Sequence, residues 1–117
     1  RSDLMSVFEI QELSLGERIT LIGTIADYRT GKSRKGTRYY RAEVQDETGL
    51  ITVLIFNDKI DDMKSLNGDR YPPKDSLVIL KGVKKEDAIF AYLISVQDQK
   101  IYTKLSQLKS DKKQNDA

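Results

Sequence analysis

The stretch YRTGKSRKGTRYYRAEVQDETGLITVLIF, residues 28–56, decides the fold. It contains a basic loop with glycines, an alternating strand, a tight DETG turn and a second, more apolar strand. Its first half, residues 28–41, carries six cations and no carboxylate, with three tyrosines between them. Positive charge combined with aromatic rings suits a polyanion whose bases can stack. The pattern therefore predicts a ligand of the nucleic-acid class.

Residues 38–46 alternate between apolar and polar side chains, which is the period of a strand with one buried face. Tyr40 is predicted to face inward with Ala42 and Val44, so its neighbour Tyr39 must face outward. The next strand, residues 50–56, is apolar on both faces. An outward Leu54 is then either covered by another element or part of a binding surface.

The remaining chain adds three strands and a helix. Residues 18–29 form a first strand, in which Gly23 is expected to mark a bulge or bend. Residues 57–68 form a helix, with Asn57 or Asp58 as its cap and Asn67-Gly68 as its end. Residues 30–37 form a loop, and residues 77–83 and 88–96 form a hairpin. In its second strand, Phe90 and Tyr92 share one face and favour core or cover over ligand contact.

The chain divides into three predicted parts. Residues 1–17 are an entry segment whose Phe8, Ile10, Leu13 and Leu15 seal one end of a core. Residues 18–109 form the main domain, and residues 110–117 form a disordered tail. The order of three strands, one helix and two strands predicts an all-β fold with one short helix. An OB-fold, the five-stranded Greek-key barrel that binds oligonucleotides, has this order.

Composition excludes several kinds of chemistry. The 117 residues have a net charge of only +2 and include no cysteine and no histidine. Disulfides, thiolate zinc sites and imidazole acid–base catalysis are therefore excluded. We expect no enzyme activity, no metal, no cofactor and no small-molecule substrate. No apolar run reaches the roughly 18 residues of a membrane span. The expected location is cytoplasmic, and the start at Arg1 indicates a piece of a longer protein.

The segments ITLIGTI, DETG, ITVLIF-ND and DSLVILKG together resemble OB-fold domains that bind single strands. KGTRYYRAEVQDETG and the late KIYTKLSQLK are most similar to the C-terminal OB domain of the bacterial DNA polymerase III α subunit. Replication protein A-type domains are the next most similar. The resemblance implies a binding module for single-stranded DNA within a replication protein, with other replication proteins as further partners. The parent chain would then be a DNA-directed DNA polymerase.

This likeness places the ligand across the outer face of the second and third strands, between two loops. The matching positions are Arg29, Lys32, Arg34, Lys35, Arg38, Tyr39, Arg41, Thr52, Lys84 and Lys85. Two other interpretations stay open. One is a protein-docking module that uses the same face, which an outward Leu54 would favour. The other is recognition of RNA, as in anticodon-binding domains, although their phenylalanine-rich second strand is replaced here by Tyr39-Tyr40-Arg41-Ala42.

Overall fold

A computed structural model describes residues 4–97 of the chain. The expected tail at 110–117, and any extension of the last strand beyond Gln97, lie outside the described residues. No helix within residues 4–97 has the length and apolar character needed to span a bilayer. The elements in chain order are β1 (Leu4–Met5), α1 (Val7–Gln11), β2 (Arg18–Lys32), β3 (Arg38–Asp46), β4 (Gly49–Phe56), α2 (Asp58–Leu66), β5 (Leu77–Lys84) and β6 (Ile89–Val96).

The five long strands close into a barrel. Their order is β2-β3-β4-β6-β5, and β5 returns to pair with β2. All of these pairs are antiparallel except β4 with β6. Helix α2 connects β4 to β5, which is the predicted position between the third and fourth barrel strands. The predicted OB-fold is confirmed, and closure leaves few free strand edges.

Strand β2 bends so that it can pair on both sides. It pairs with β5 over residues 18–24 and with β3 over residues 24–32. The bulge lies at Ala26, not at Gly23, because the register with β3 passes from Ile25 directly to Asp27. Gly23 serves a different purpose. A Cβ there would lie 2.7 Å from the carbonyl oxygen of Gln45, so only glycine lets β3 approach this closely.

The inner faces of the strands supply the core. Tyr40, Ala42 and Val44 are fully buried, which confirms the predicted facing of β3. The Tyr40 hydroxyl donates a hydrogen bond of 2.9 Å to the carbonyl oxygen of Pro72. Its ring stacks on Tyr28 and Tyr71, with centroids 5.3 and 5.7 Å away. Burial raises the pKa of Tyr40 well above its usual value, so the phenol keeps its proton and its hydrogen bond.

The first described residues belong to the same core. Met5, Val7 and Ile10 are fully buried beside the barrel strands. Ser6 begins α1 with a capping box, in which its hydroxyl accepts from the Glu9 amide. The prediction for Phe8 and Leu15 was wrong, because they are 60% and 63% exposed. A helix this short presents only one i, i+3 pair to the barrel, and Val7 and Ile10 occupy it.

Helix α2 covers one end of the barrel through Ile60 and Met63, which are buried. The expected capping by Asn57 is wrong in its mechanism: this residue stands at the N-cap, yet its side chain makes no cap bond. The Asn57 side-chain oxygen instead accepts from the Arg38 amide at 3.0 Å. Asn67 ends the helix as predicted, and Gly68 follows with a φ of +69°.

Candidate nucleic-acid interface

The basic run lies on a long hairpin made by β2 and β3. The two strands stay paired as far as Lys32 and Arg38, so the predicted loop of residues 30–37 shrinks to residues 33–37. The Ser33 amide donates to the carbonyl oxygen of Thr37 at 2.8 Å, and the Ser33 hydroxyl accepts from the Thr37 amide at 3.1 Å. Arg34 and Lys35 therefore lie exposed at a closed tip.

The register of this hairpin divides the cations between two faces. Arg29 lies directly opposite Arg41, and Lys32 lies opposite Arg38. Because successive side chains point to opposite faces, the first pair shares the outer face of the barrel with Tyr39, and the second pair lies on the other face. Like charges directly opposite one another destabilise a sheet. A polyanion on the outer face would relieve that repulsion between Arg29 and Arg41.

The outer face carries a continuous row of side chains across four strands. In the strand register, Arg29 lies opposite Arg41, Arg41 lies opposite Leu54, and Leu54 lies opposite Phe90. We call these four residues the outer row. The Phe56 ring makes an edge contact with Phe90, with centroids 5.1 Å apart. Two cations thus lie at one end of the row, and exposed aromatic surface lies at the other.

Tyr39 is outward as predicted and lies across β2. A Cβ at Gly31 would lie 2.6 Å from the Tyr39 hydroxyl oxygen and 2.8 Å from its ring carbon Cζ. The ring therefore covers the bare backbone of Gly31, the residue opposite it in the register. This contact fixes the orientation of the ring and leaves at most one ring face for a ligand.

Thr52 and Lys85 lie next to the outer row, Thr52 two residues before Leu54 on β4 and Lys85 beside Phe90. The Thr52 hydroxyl donates to the Glu43 carboxylate at 2.9 Å, and the Arg41 Nε lies 3.5 Å from the same carboxylate. Lys85 follows β5, and its Nζ lies 5.5 Å from the centroid of the Phe90 ring. Lys85 therefore places a positive charge beside the aromatic end of the row.

Two of the predicted contact residues already bind other parts of this chain, one in the interior and one at the surface. Lys84 is only 7% exposed, and its Nζ donates to the carbonyl oxygens of Ile10 and Gln11 at 3.0 and 3.3 Å. It satisfies the C-terminal end of α1, where a cation suits the helix dipole. Arg38 makes two hydrogen bonds to Asp61, at 3.1 and 2.8 Å. These bonds lower the pKa of Asp61 and raise that of Arg38.

The ten predicted positions therefore separate into groups. The outer face gathers Arg29, Tyr39, Arg41 and Thr52, with Lys85 at its edge. The hairpin tip carries Arg34 and Lys35. The correction concerns the others: Lys32 and Arg38 lie on the opposite face of the hairpin, and Lys84 is buried.

Phe56 is an aromatic residue of this face that sequence reasoning missed, and Phe90 is one for which it ranked ligand contact second. Phe90 and Tyr92 are 38% and 39% exposed, so neither belongs to the core, and the choice between a covering role and ligand contact stays a prediction. The register of β5 with β6 skips Tyr92, and this bulge brings Ile94 rather than Leu93 into the core. A signal for Phe56 was present: it lies two residues after Leu54, and both must share one face of β4.

Comparison with known proteins gives likeness in fold alone. No family model matches the chain, and no curated protein matches it. Among solved structures, the crystal structure of yeast Stn1 and Ten1 contains a similar chain, with a TM-score of 0.66 and 13% identity. The match covers 84% of this chain but spans only about half, 52%, of that one. A chain in the S. pombe Stn1–Ten1 complex matches with a TM-score of 0.60 and 14% identity, over 95% and 93% of the two chains.

These matches and the closed five-stranded barrel define the protein as an OB-fold. Both structures are of Stn1 and Ten1, and neither is of a polymerase III α subunit. The expected relationship to that polymerase stays a prediction.

Proposed function

We propose that this chain binds single-stranded nucleic acid, preferentially DNA, across its outer face. The observation that carries the proposal is the outer row, in which Arg29 and Arg41 lie side by side and continue through Leu54 to Phe90. Within residues 4–97, Arg29 makes no ion pair, and the contact from Arg41 to Glu43 is long, at 3.5 Å. Both guanidinium groups are therefore accessible to phosphate.

The row supplies both parts of single-strand binding. Arg29 and Arg41 would neutralise phosphates, which provides affinity without sequence preference. Phe90, with Phe56 against its edge, would accept a stacked base, a contact worth about 1–3 kcal/mol. Arg34 and Lys35 at the hairpin tip and Lys85 beside Phe90 would extend the positive field at both ends of the row. Little discrimination between bases is expected, because stacking tolerates any base.

We also propose that the chain is part of a replication protein. The support is the resemblance of the DETG turn and its flanking strands to OB domains of such proteins. A polymerase III α subunit is the parent that this resemblance favours, in a cytoplasmic setting. Any catalysis would then belong to other parts of that parent chain.

The test is a titration of fluorescently labelled oligothymidine by anisotropy over a series of salt concentrations. With three to five phosphate contacts, log affinity should fall against log salt with a slope of roughly −2 to −3.5. A matching oligouridine titration separates DNA from RNA, and weaker binding to RNA is expected. Absence of binding at low salt, or binding without salt dependence, would contradict the proposal.

A second candidate, docking of a protein partner on the same face, is favoured by its apolar surface. Leu50 is 49% exposed and Phe90 38%, with Leu54 half-buried between Arg41 and Phe90. The similar chain from S. pombe also belongs to a complex of two proteins. If neither DNA nor RNA binds at low salt, this candidate takes the place of the first.

A further inference from the structure

The charge of the side chains on the outer face changes from positive to negative beside the outer row. Two residues from Arg29 and Arg41 on the same strands, Asp27 lies directly opposite Glu43. A pair of cations is thus followed by a pair of carboxylates on the same face. Further along, Glu86 and Asp87 of the β5–β6 turn join Glu43 around one cleft beside Thr52. The face is therefore basic toward the hairpin tip and acidic toward the opposite end of the strands.

Glu43 is held in place at this boundary. Its carboxylate accepts from the Thr52 hydroxyl at 2.9 and 3.2 Å, and its Oε1 lies 3.5 Å from the Nε of Arg41. The side chains of Arg41 and Glu43 are 50% and 31% exposed, so solvent and ligand can reach both groups. A carboxylate in this position occupies one side of the guanidinium that a phosphate would otherwise contact.

We propose that Glu43 competes with phosphate for Arg41 and ends the nucleic-acid site on the side away from the hairpin tip. This inference rests on the proposed function and specifies it further. A strand that continued past Arg41 would bring its next phosphate against Asp27 and Glu43, where like charge repels it. The bound strand therefore stays on the hairpin side of Glu43 and along the outer row.

The experiment compares three forms of the chain in the oligothymidine titration. Glu43→Gln keeps an acceptor for Thr52 and removes the charge. Glu47→Gln is the matched control, because Glu47 is an exposed carboxylate in the β3–β4 turn, four residues away. We expect Glu43→Gln to bind about three- to tenfold tighter at low salt, with a salt slope steeper by about 0.7 for one added phosphate contact. Glu47→Gln should bind within about twofold of the natural chain, since its charge lies beyond the boundary.

Repeating the substitution in an Arg41→Ala background separates competition for Arg41 from general repulsion of the phosphates by Glu43. In Arg41→Ala, adding Glu43→Gln should tighten binding much less than it does in the natural chain, because the contested cation is missing. Tightening of equal size in both backgrounds would overturn the proposed competition. Equal affinities of Glu43→Gln and Glu47→Gln would overturn the whole inference.

The two levels of proposal fail differently. If the natural chain binds no oligothymidine at low salt, the proposed function fails and this inference fails with it. If the natural chain binds with the expected slope but Glu43→Gln behaves like Glu47→Gln, only the inference fails. Thermal melts of all forms check that they fold alike.

Discussion

The nine residues of β3 alternate between an inner and an outer face, and the side chains on the two faces are under different constraints. On the inner face, Tyr40, Ala42 and Val44 are completely buried against other strands. On the outer face, Arg41 and Glu43 are partly exposed and touch each other only loosely. The inner side chains are constrained by the barrel itself. The outer ones do not fill the barrel, so their charge and aromatic character are free to suit the proposed ligand.

The largest expected effect comes from adjacent tyrosines on these two faces. Tyr40→Ala should destabilise the fold by about 3–5 kcal/mol, because it empties a core position and removes a buried hydrogen bond. Tyr40→Phe, which loses only the bond to Pro72, should cost about 1 kcal/mol. Tyr39→Ala should leave stability within about 1 kcal/mol and weaken binding to oligothymidine.

Denaturant unfolding followed by circular dichroism measures all three variants. A Tyr39→Ala variant that unfolds more easily than Tyr40→Ala would reverse the assignment of the faces.

The alternation that identified the inner face of β3 is a local signal. It was enough for Tyr40, Ala42 and Val44, and with the order of strands it predicted the barrel. The division of the cations depends on the pairing of Arg29 with Arg41, which follows from where the hairpin closes. Because the sequence predicted a loop over residues 30–37, it left the pairing of Arg29 with Arg41 undefined. The structural role of Lys84 could not be predicted from the sequence, because its acceptor, the carbonyl oxygen of Ile10, lies 74 residues away in the chain.

Lys84 and Lys85 extend the comparison to the end of β5, where neighbouring lysines again take opposite roles. Lys84→Ala should destabilise the fold by about 1–3 kcal/mol, because the carbonyl oxygens of Ile10 and Gln11 lose a buried donor. Lys85→Ala should leave stability almost unchanged and weaken nucleic-acid binding. Urea midpoints of the two variants measure this difference. Equal midpoints would contradict the structural role of Lys84.

Arg29 and Lys32 offer a matched test on one strand, since they are three residues apart and face opposite sides of the hairpin. Arg29→Ala should flatten the salt slope for oligothymidine by about 0.7, the value of one phosphate contact. Lys32→Ala should change the slope less, because its charge lies on the other face. Anisotropy titrations at several salt concentrations measure both. If the two variants behave alike, the ligand does not distinguish the faces.

The smallest expected effect concerns Arg38, whose side chain is bound to Asp61 at 2.8 and 3.1 Å. The hydrogen bond from Arg38 lowers the pKa of Asp61 in the folded chain. A carboxyl with a lowered pKa stabilises the fold at every pH above its unfolded value, and this contribution is lost as pH falls through the folded pKa. Asp61→Asn should therefore be slightly less stable than the natural chain at neutral pH, and the gap should close in acid.

Asp62→Asn is the control for this last comparison, because it removes the same charge from α2 and leaves the contact between Arg38 and Asp61 intact. Unfolding curves at several pH values should show a pH-dependent gap only for Asp61→Asn. The same two variants also test the faces. Asp61→Asn frees Arg38, yet it should bind oligothymidine no more tightly than Asp62→Asn, because the freed cation is on the side away from the outer row. Tighter binding would mean that the strand wraps around the hairpin and uses both of its faces.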